Sequence, residues 1–240
     1  MSTIGLILAR GSSKDIPSKN MKLLGGKPLL AWTLEATLQS GVCDEVWVAT
    51  DSKQIQQLAW QYNVTTLDLP SRMTADHVYS AEVAHYVMSG LTSISRSNVP
   101  STLVFLQATS PFRTGKHIAE AYALYRGLGT VIGVSRKKKY YWRSDLSESM
   151  SPVHASHAPR NRKVRQLTDS WDWFYEENGS VYIVNVKRFL AEKVYHLPPY
   201  IPFVMSEEES LQIDTPYDFW LAEKWLEYKN NVNSEIGQQD

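Results

Sequence analysis

The 240-residue sequence has a single cysteine, Cys43, which excludes an intrachain disulfide and any cysteine-rich metal cluster. It carries no net charge: 25 Lys plus Arg balance 25 Asp plus Glu, so no global field draws nucleic acid or an anionic membrane surface to it. An aromatic-basic groove pattern is also lacking, which argues against a nucleic-acid-binding module. Apolar runs are short. The one at Thr3–Ala9 is too brief to span a membrane and lacks a signal peptide's basic start and cleavage site. These absences lead us to expect a cytoplasmic protein acting on a small polar substrate. The six histidines (His77, His85, His117, His154, His157 and His196) form no H-x-x-x-H or similar ligand spacing, and none is assigned to a metal. No Pro/Gly/Ser-rich linker interrupts the chain, so we expect one domain over residues 1–228, followed by a polar, frayed tail at 229–240.

What is present is an alternation of strands and helices. Thr3–Ala9 reads as a strand, followed by a polar loop to Asn20 and a helix from about Pro28 to Gln39. Glu45–Thr50 is β-rich, and Ile55, Leu58, Ala59 and Tyr62 then keep helical spacing. A short strand at Val64–Leu67, a helix near Ala81–Ser89, a strand at Thr102–Gln107 and a helix from about Gly115 continue the pattern. Val131–Ser135, Ser180–Asn185 and Tyr200–Met205 read as further strands, and a last helix starts at Thr215 with Pro216 in its first turn and Asp218 three residues on, as in a capping box. Near-continuous apolar strands separated by helices predict an α/β fold: a three-layer Rossmann-like arrangement with a mainly parallel sheet and its active residues in loops at the strands' C-terminal ends. Residues 136–173 break the period. Their aromatic density (Tyr140, Tyr141, Trp142, Trp171, Trp173) predicts an excursion ordered against a partner, hence a homodimer.

The loop after the first strand, Ala9-Arg10-Gly11-Ser12-Ser13-Lys14-Asp15-Ile16-Pro17-Ser18-Lys19-Asn20, sets three cations among small residues. Such a loop can aim N–H groups and cationic side chains at one anion, and a triphosphate needs that much compensation. It is not a Walker loop, because the GKS/T ending is missing. On spacing alone it reads equally as a solvated basic turn. The pattern A-R-x-x-S-K-x-x-x-x-K-N, met at Ala9, Arg10, Ser13, Lys14, Lys19 and Asn20, resembles the signature of the acylneuraminate cytidylyltransferases, the CMP-sialic acid synthetase family. Leu106-Gln107-Ala108-Thr109-Ser110-Pro111-Phe112-Arg113 resembles that family's L-Q-P-T-S-P-L-R, and Asn178-Gly179-Ser180-Val181-Tyr182-Ile183 its N-G-A-x-Y-I. Ile213-Asp214-Thr215 resembles the end of its D-I-D-T, with Gln212 in place of the first acid. Ser12 and Asp15 stand where the family often has glycine.

The resemblance implies a nucleotidyltransferase fold and a Mg²⁺-dependent transfer of CMP from CTP to a nonulosonic, sialic-acid-like sugar acid, with release of pyrophosphate. It places Arg10, Ser13 and Lys14 on the triphosphate, Lys19 beside them, and Asn20, Arg72 and Ser80 on the nucleotide. Arg10 and Lys14 take the catalytic part, stabilising charge on the departing pyrophosphate. Gln107, Arg165 and Tyr182 fall to the sugar acid, Arg165 as a fork for its carboxylate. Asp214 falls to the metal. Arg113 is read as structural, Trp142 as a possible pocket wall, and Asp76 equally as a helix start. No residue is an obvious general base. Rival readings are the same chemistry on Kdo or another nucleotide and sugar pair, and a catalytically weakened nucleotide-binding or regulatory relative, the latter motivated by Gln212.

Overall fold

A computed structural model gives the architecture; it describes residues 2–94, 99–137, 142–144, 150–153 and 174–236. The first apolar run forms β1 (Thr3–Leu8), and pleating sends Ile4 and Leu6 to one core and Ile7 to another. A loop and a short hairpin, β2 (Leu23–Leu24) with β3 (Lys27–Pro28), lead into α1 (Leu29–Gln39). Then come β4 (Glu45–Thr50), α2 (Lys53–Gln61), β5 (Thr65–Asp68), a 3-10 turn at Ser71–Met73 and α3 (Ser80–Ile94). The second half holds β6 (Thr102–Gln107), α4 (Gly115–Leu124), β7 (Thr130–Lys137), β8 (Trp142–Ser144), β9 (Met150–Pro152), β10 (Phe174–Asn185), α5 (Val186–Glu192), β11 (Tyr200–Met205) and α6 (Pro216–Ile236).

Seven strands make one sheet in the order β11-β7-β10-β6-β1-β4-β5. All run in one direction except β10, which is antiparallel to both β6 and β7. One face carries α1, α2 and α4 through residues such as Leu34, Ile55 and Ile118; the other carries α3 and α5 through Val83, Val87 and Phe189. The three-layer, mainly parallel expectation therefore holds. The chain leaves β1 outward to β4 and β5, then returns to β6 on β1's other side. That reversal opens a crevice beyond the C-terminal ends of β1 and β6, where open α/β sheets bind ligands. A third cluster (Ile16, Leu24, Leu29, Phe112, Ile213, Phe219, Ala222) fastens α6 to the loop after β1.

Several details differ from expectation. β10 starts six residues earlier than the apolar run at Ser180, because Tyr175, Glu176 and Glu177 lie exposed on its paired N-terminal half and carry no burial signal. α5 was not anticipated; it starts directly from β10, with Asn185 Oδ1 accepting from the Arg188 amide at 3.0 Å. α6 continues to Ile236, so most of the expected frayed tail is helix. Within 136–173, β8 and β9 pair as an antiparallel ribbon, and the remaining calls on that stretch, Arg165 and the dimer contact included, lie outside the described residues.

The capping box at α6 forms as expected. Asp218 Oδ2 accepts from the Thr215 amide at 2.7 Å and the Asp214 amide at 3.1 Å, while the Asp218 amide donates to Thr215 Oγ1 at 3.2 Å. Burial works to raise the Asp218 carboxyl, but the Thr215 and Asp214 bonds outweigh it and hold the group below its ordinary value of 3.8. A depressed carboxyl contributes stability above its unfolded value that is lost as pH falls through the folded one. Asp218→Ala should thus cost about 1 kcal/mol at neutral pH and nothing well below pH 3.8, a difference readable in urea melts at the two pH values. No helix among the described residues is long and apolar enough to cross a membrane.

Candidate active site

β1 hands the chain to the cation loop at Ala9, whose amide bonds Ala49 O at 3.0 Å. Gly11 must be small: a Cβ there would lie 2.8 Å from Ser52 Cβ, and its amide donates to Asp51 Oδ1 at 2.7 Å. Asn20 is buried under the loop, where its Nδ2 donates to Arg10 O at 2.9 Å. Its Oδ1 is buried without a partner, in a residue that lines the crevice. Lys19 reaches across to α6's N-terminal approach, donating to Ile213 O at 2.9 Å and pairing with Asp214 Oδ1 at 3.1 Å.

The crevice is a cleft of about 290 Å³. Arg10, Ser12 and Ser13 form one wall, and Leu69, Thr74, Asp76 and Ser80 the opposite one; Gln107 and Thr109, at the end of β6, close its floor. Arg10 Nη1 and Lys14 Nζ both reach Asp76, at 2.6 and 2.9 Å, so the two cations assigned to phosphate meet at one anion-sized point. Lys14, and then Arg10, hold the Asp76 carboxyl below its ordinary range. Ser80 Oγ shares a hydrogen bond with Tyr195 OH at 2.9 Å, fixing that hydroxyl at the cleft wall. Arg72 sits in the 3-10 turn with its guanidinium 5.4 Å from the Tyr86 ring, away from the cleft lining.

The floor is held from behind. Gln107 Oε1 accepts from Gln212 Nε2 at 2.7 Å. Arg113 is only 2 % exposed and donates from Nη1 to Ser180 O at 2.6 Å and Gln107 O at 3.3 Å, which ties the β6 turn to β10. Burial pushes its guanidinium down to about 9, so it stays charged at neutral pH. Its structural role is as expected; its depth was not visible in the sequence. Tyr182 is likewise buried, in a cluster of three mutually tilted rings with Phe105 and Tyr195, with burial and its bond to Glu177 pushing the phenol up. It therefore stands behind Phe105, a cleft residue, and not on the cleft surface itself. The structure thus brings Arg10, Ser13, Lys14, Lys19, Asn20, Ser80, Gln107 and Asp214 together, and leaves Arg72 and Tyr182 outside the lining. Sequence reasoning missed Asp76 as the partner of the cations and Gln212 as the partner of Gln107, because both contacts join segments more than 60 residues apart.

Among the described residues no group of three or more His, Cys, Asp and Glu side chains is placed to hold a metal. Asp214 lines the cleft, and Gln212, in the first acid's place, is engaged with Gln107. One carboxylate is a poor cage for a free cation. It suits Mg²⁺, which keeps its waters and is commonly held by one or two carboxylates together with substrate phosphates.

A sheet that reverses between β1 and β6, with a cation loop and an amide floor at that point, defines a nucleotide-handling α/β enzyme. The family model described as cytidylyltransferase matches residues 4–232, and the chain belongs to that family. It is 34% identical over 231 residues to the CMP-N,N'-diacetyllegionaminic acid synthase of Legionella pneumophila, covering 95% of this chain and 97% of that protein. It is 32% identical to the N-acylneuraminate cytidylyltransferase of Escherichia coli over 98% of its length and 33% identical to N-acylneuraminate cytidylyltransferase A of Danio rerio over 91%. The chain spans about half of those two longer proteins, 54% and 49%. A solved CMP:2-keto-3-deoxy-manno-octonic acid synthetase, complexed with CTP, shares the fold over the whole of both chains at TM-score 0.61 and 15% identity.

Proposed function

We propose that this protein transfers CMP from CTP to a nonulosonic sugar acid and releases pyrophosphate. The observation that carries the proposal is the convergence of Arg10 and Lys14 on one anion position beside a cleft floored by Gln107. Arg10, Lys14 and the N–H groups of the loop bind the β- and γ-phosphates, and Asn20 Oδ1 accepts a hydrogen bond from the nucleoside. The sugar acid lies against Gln107, and its carboxylate is taken by Arg165. Its anomeric oxygen forms a bond to the α-phosphorus as the bond from that phosphorus to the bridging oxygen breaks. The electron pair leaves with pyrophosphate, and the hydroxyl proton is released to water.

Charge grows on the leaving group, where Arg10 and Lys14 stand, so their attraction is stronger in the transition state than in the ground state. Asp214 is the residue that would hold Mg²⁺ beside the phosphates, where the ion supplies further charge neutralisation. The active form is a homodimer in the cytoplasm. The resemblance over nearly the full length of the legionaminic acid synthase favours an acylated nonulosonic acid.

The test is pyrophosphate release from CTP and Mg²⁺ over a panel of sialic, legionaminic, pseudaminic and Kdo acids, with UTP, ATP and GTP as controls. Release is expected with CTP and one or more nonulosonic acids, and chelation of Mg²⁺ should abolish it. Release with Kdo alone would move the substrate assignment. Silence throughout with CTP still bound would favour a weakened relative.

A further inference from the structure

Asp76 has no part in the reading above, yet it makes both ionic contacts that bridge the two walls of the cleft. It stands between the 3-10 turn at Ser71–Met73 and α3, opposite the cation loop. Each carboxylate oxygen takes one cation: Oδ1 meets Arg10 Nη1 at 2.6 Å, and Oδ2 meets Lys14 Nζ at 2.9 Å. This is the arrangement a phosphate would adopt at the same point, two oxygens of one anion shared between a guanidinium and an ammonium. We infer that Asp76 is a placeholder for the triphosphate. In the nucleotide-free protein it keeps Arg10 and Lys14 gathered and straps the two walls together, and it yields both cations to the phosphates when CTP binds. The inference rests on the nucleotidyltransferase reading.

Three observations favour exchange over a permanent strut. Asp76 and Lys14 are well exposed, their side chains at 43% and 72%, so solvent screens the pair and makes it easy to break. A polyphosphate brings more charge to the same cations than one carboxylate does. And an ionised Asp76 left in place would repel the incoming phosphates, because with Lys14 and Arg10 beside it the carboxyl stays charged throughout the neutral range. Its contacts among the described residues are those two cations, so it is not the helix cap that its position ahead of α3 suggests.

Calorimetric titration of the intact protein with CTP, inorganic pyrophosphate and cytidine, in metal-free buffer, compares the natural chain with Asp76→Asn and Asp76→Ala. Both variants should bind CTP and pyrophosphate about two- to fivefold more tightly, the scale expected from losing a competing exposed ion-pair contact, with cytidine binding unchanged. Unchanged or weaker binding of the two polyphosphates would overturn the inference. A gain equal for cytidine would overturn it too, since the effect would then lie away from the phosphates. If the natural chain bound neither CTP nor pyrophosphate, the nucleotide reading itself would fall, and the exchange with it.

Discussion

Lys14→Ala should lower kcat for pyrophosphate release by about a hundredfold or more while leaving the melting temperature where it was. The two halves of that expectation come from different features of the side chain. Lys14 is largely exposed and its ionic contact is to Asp76, another exposed group, so truncation removes no packing and strands no buried charge. On the proposed mechanism its ammonium stands where charge grows as pyrophosphate departs, and removing a preplaced cation from that point is felt most in the transition state. The signature is a fall in kcat with a smaller change in KM for CTP. A raised KM with kcat preserved would reassign Lys14 to ground-state binding alone. Lys14→Arg, which keeps the charge but changes its shape and reach, should recover part of the rate.

Lys14 was singled out in the sequence because it falls in a contiguous loop motif that resembles the family's; the cation cluster alone read equally as a solvated turn. Much of the sheet was legible from local pattern. β4, β6 and β11 coincide with the sequence reading at both ends, because each is a short apolar run whose pairing extends no more than one polar residue beyond it. What stayed hidden depends on depth and partner. Alternation along β10 places Tyr182 and Val184 on one face and Val181 and Ile183 on the other, yet it cannot say that Phe105 and Tyr195 cover Tyr182. Arg113 follows a Ser-Pro turn that normally surfaces, and only the fold shows that its Nη1 donates to the carbonyls of Ser180 and Gln107. Asp76 lies 66 residues from Arg10 in sequence, and composition carries no trace of that pairing. Gln212, conspicuous as a neutral residue where an acid was expected, turns out to be committed to Gln107.

The amide floor yields the second large expectation, for Gly179→Ala. Gly179 has φ +62°, a left-handed conformation that costs an alanine about 1–2 kcal/mol. A Cβ there would lie 2.1 Å from Gln212 Nε2 and 2.4 Å from Gln107 Oε1. Both atoms are the ends of flexible side chains, so the clash is relieved by swinging the two amides apart. That relief is tolerable to the fold, and its cost is a lost hydrogen bond of about 1 kcal/mol. The total, about 2–3 kcal/mol, corresponds to a melting temperature lower by roughly 4–12 °C in a chain of this size. On the proposed reading the site fares worse than the fold, because Gln107 could no longer present its amide to the sugar acid. KM for the sugar acid should rise about tenfold, the worth of one well-placed hydrogen bond, while CTP affinity, which depends on the cation loop and the cleft walls, should not change. Adding Gln212→Ala removes one of the two obstructions and should return part of the lost stability but not the KM, since Gln107 then has no partner to hold it. If the single variant raised KM for CTP and the sugar acid alike, the floor and the walls of the cleft would be one mechanical unit, and the assignment of Gln107 to the sugar acid alone would be wrong.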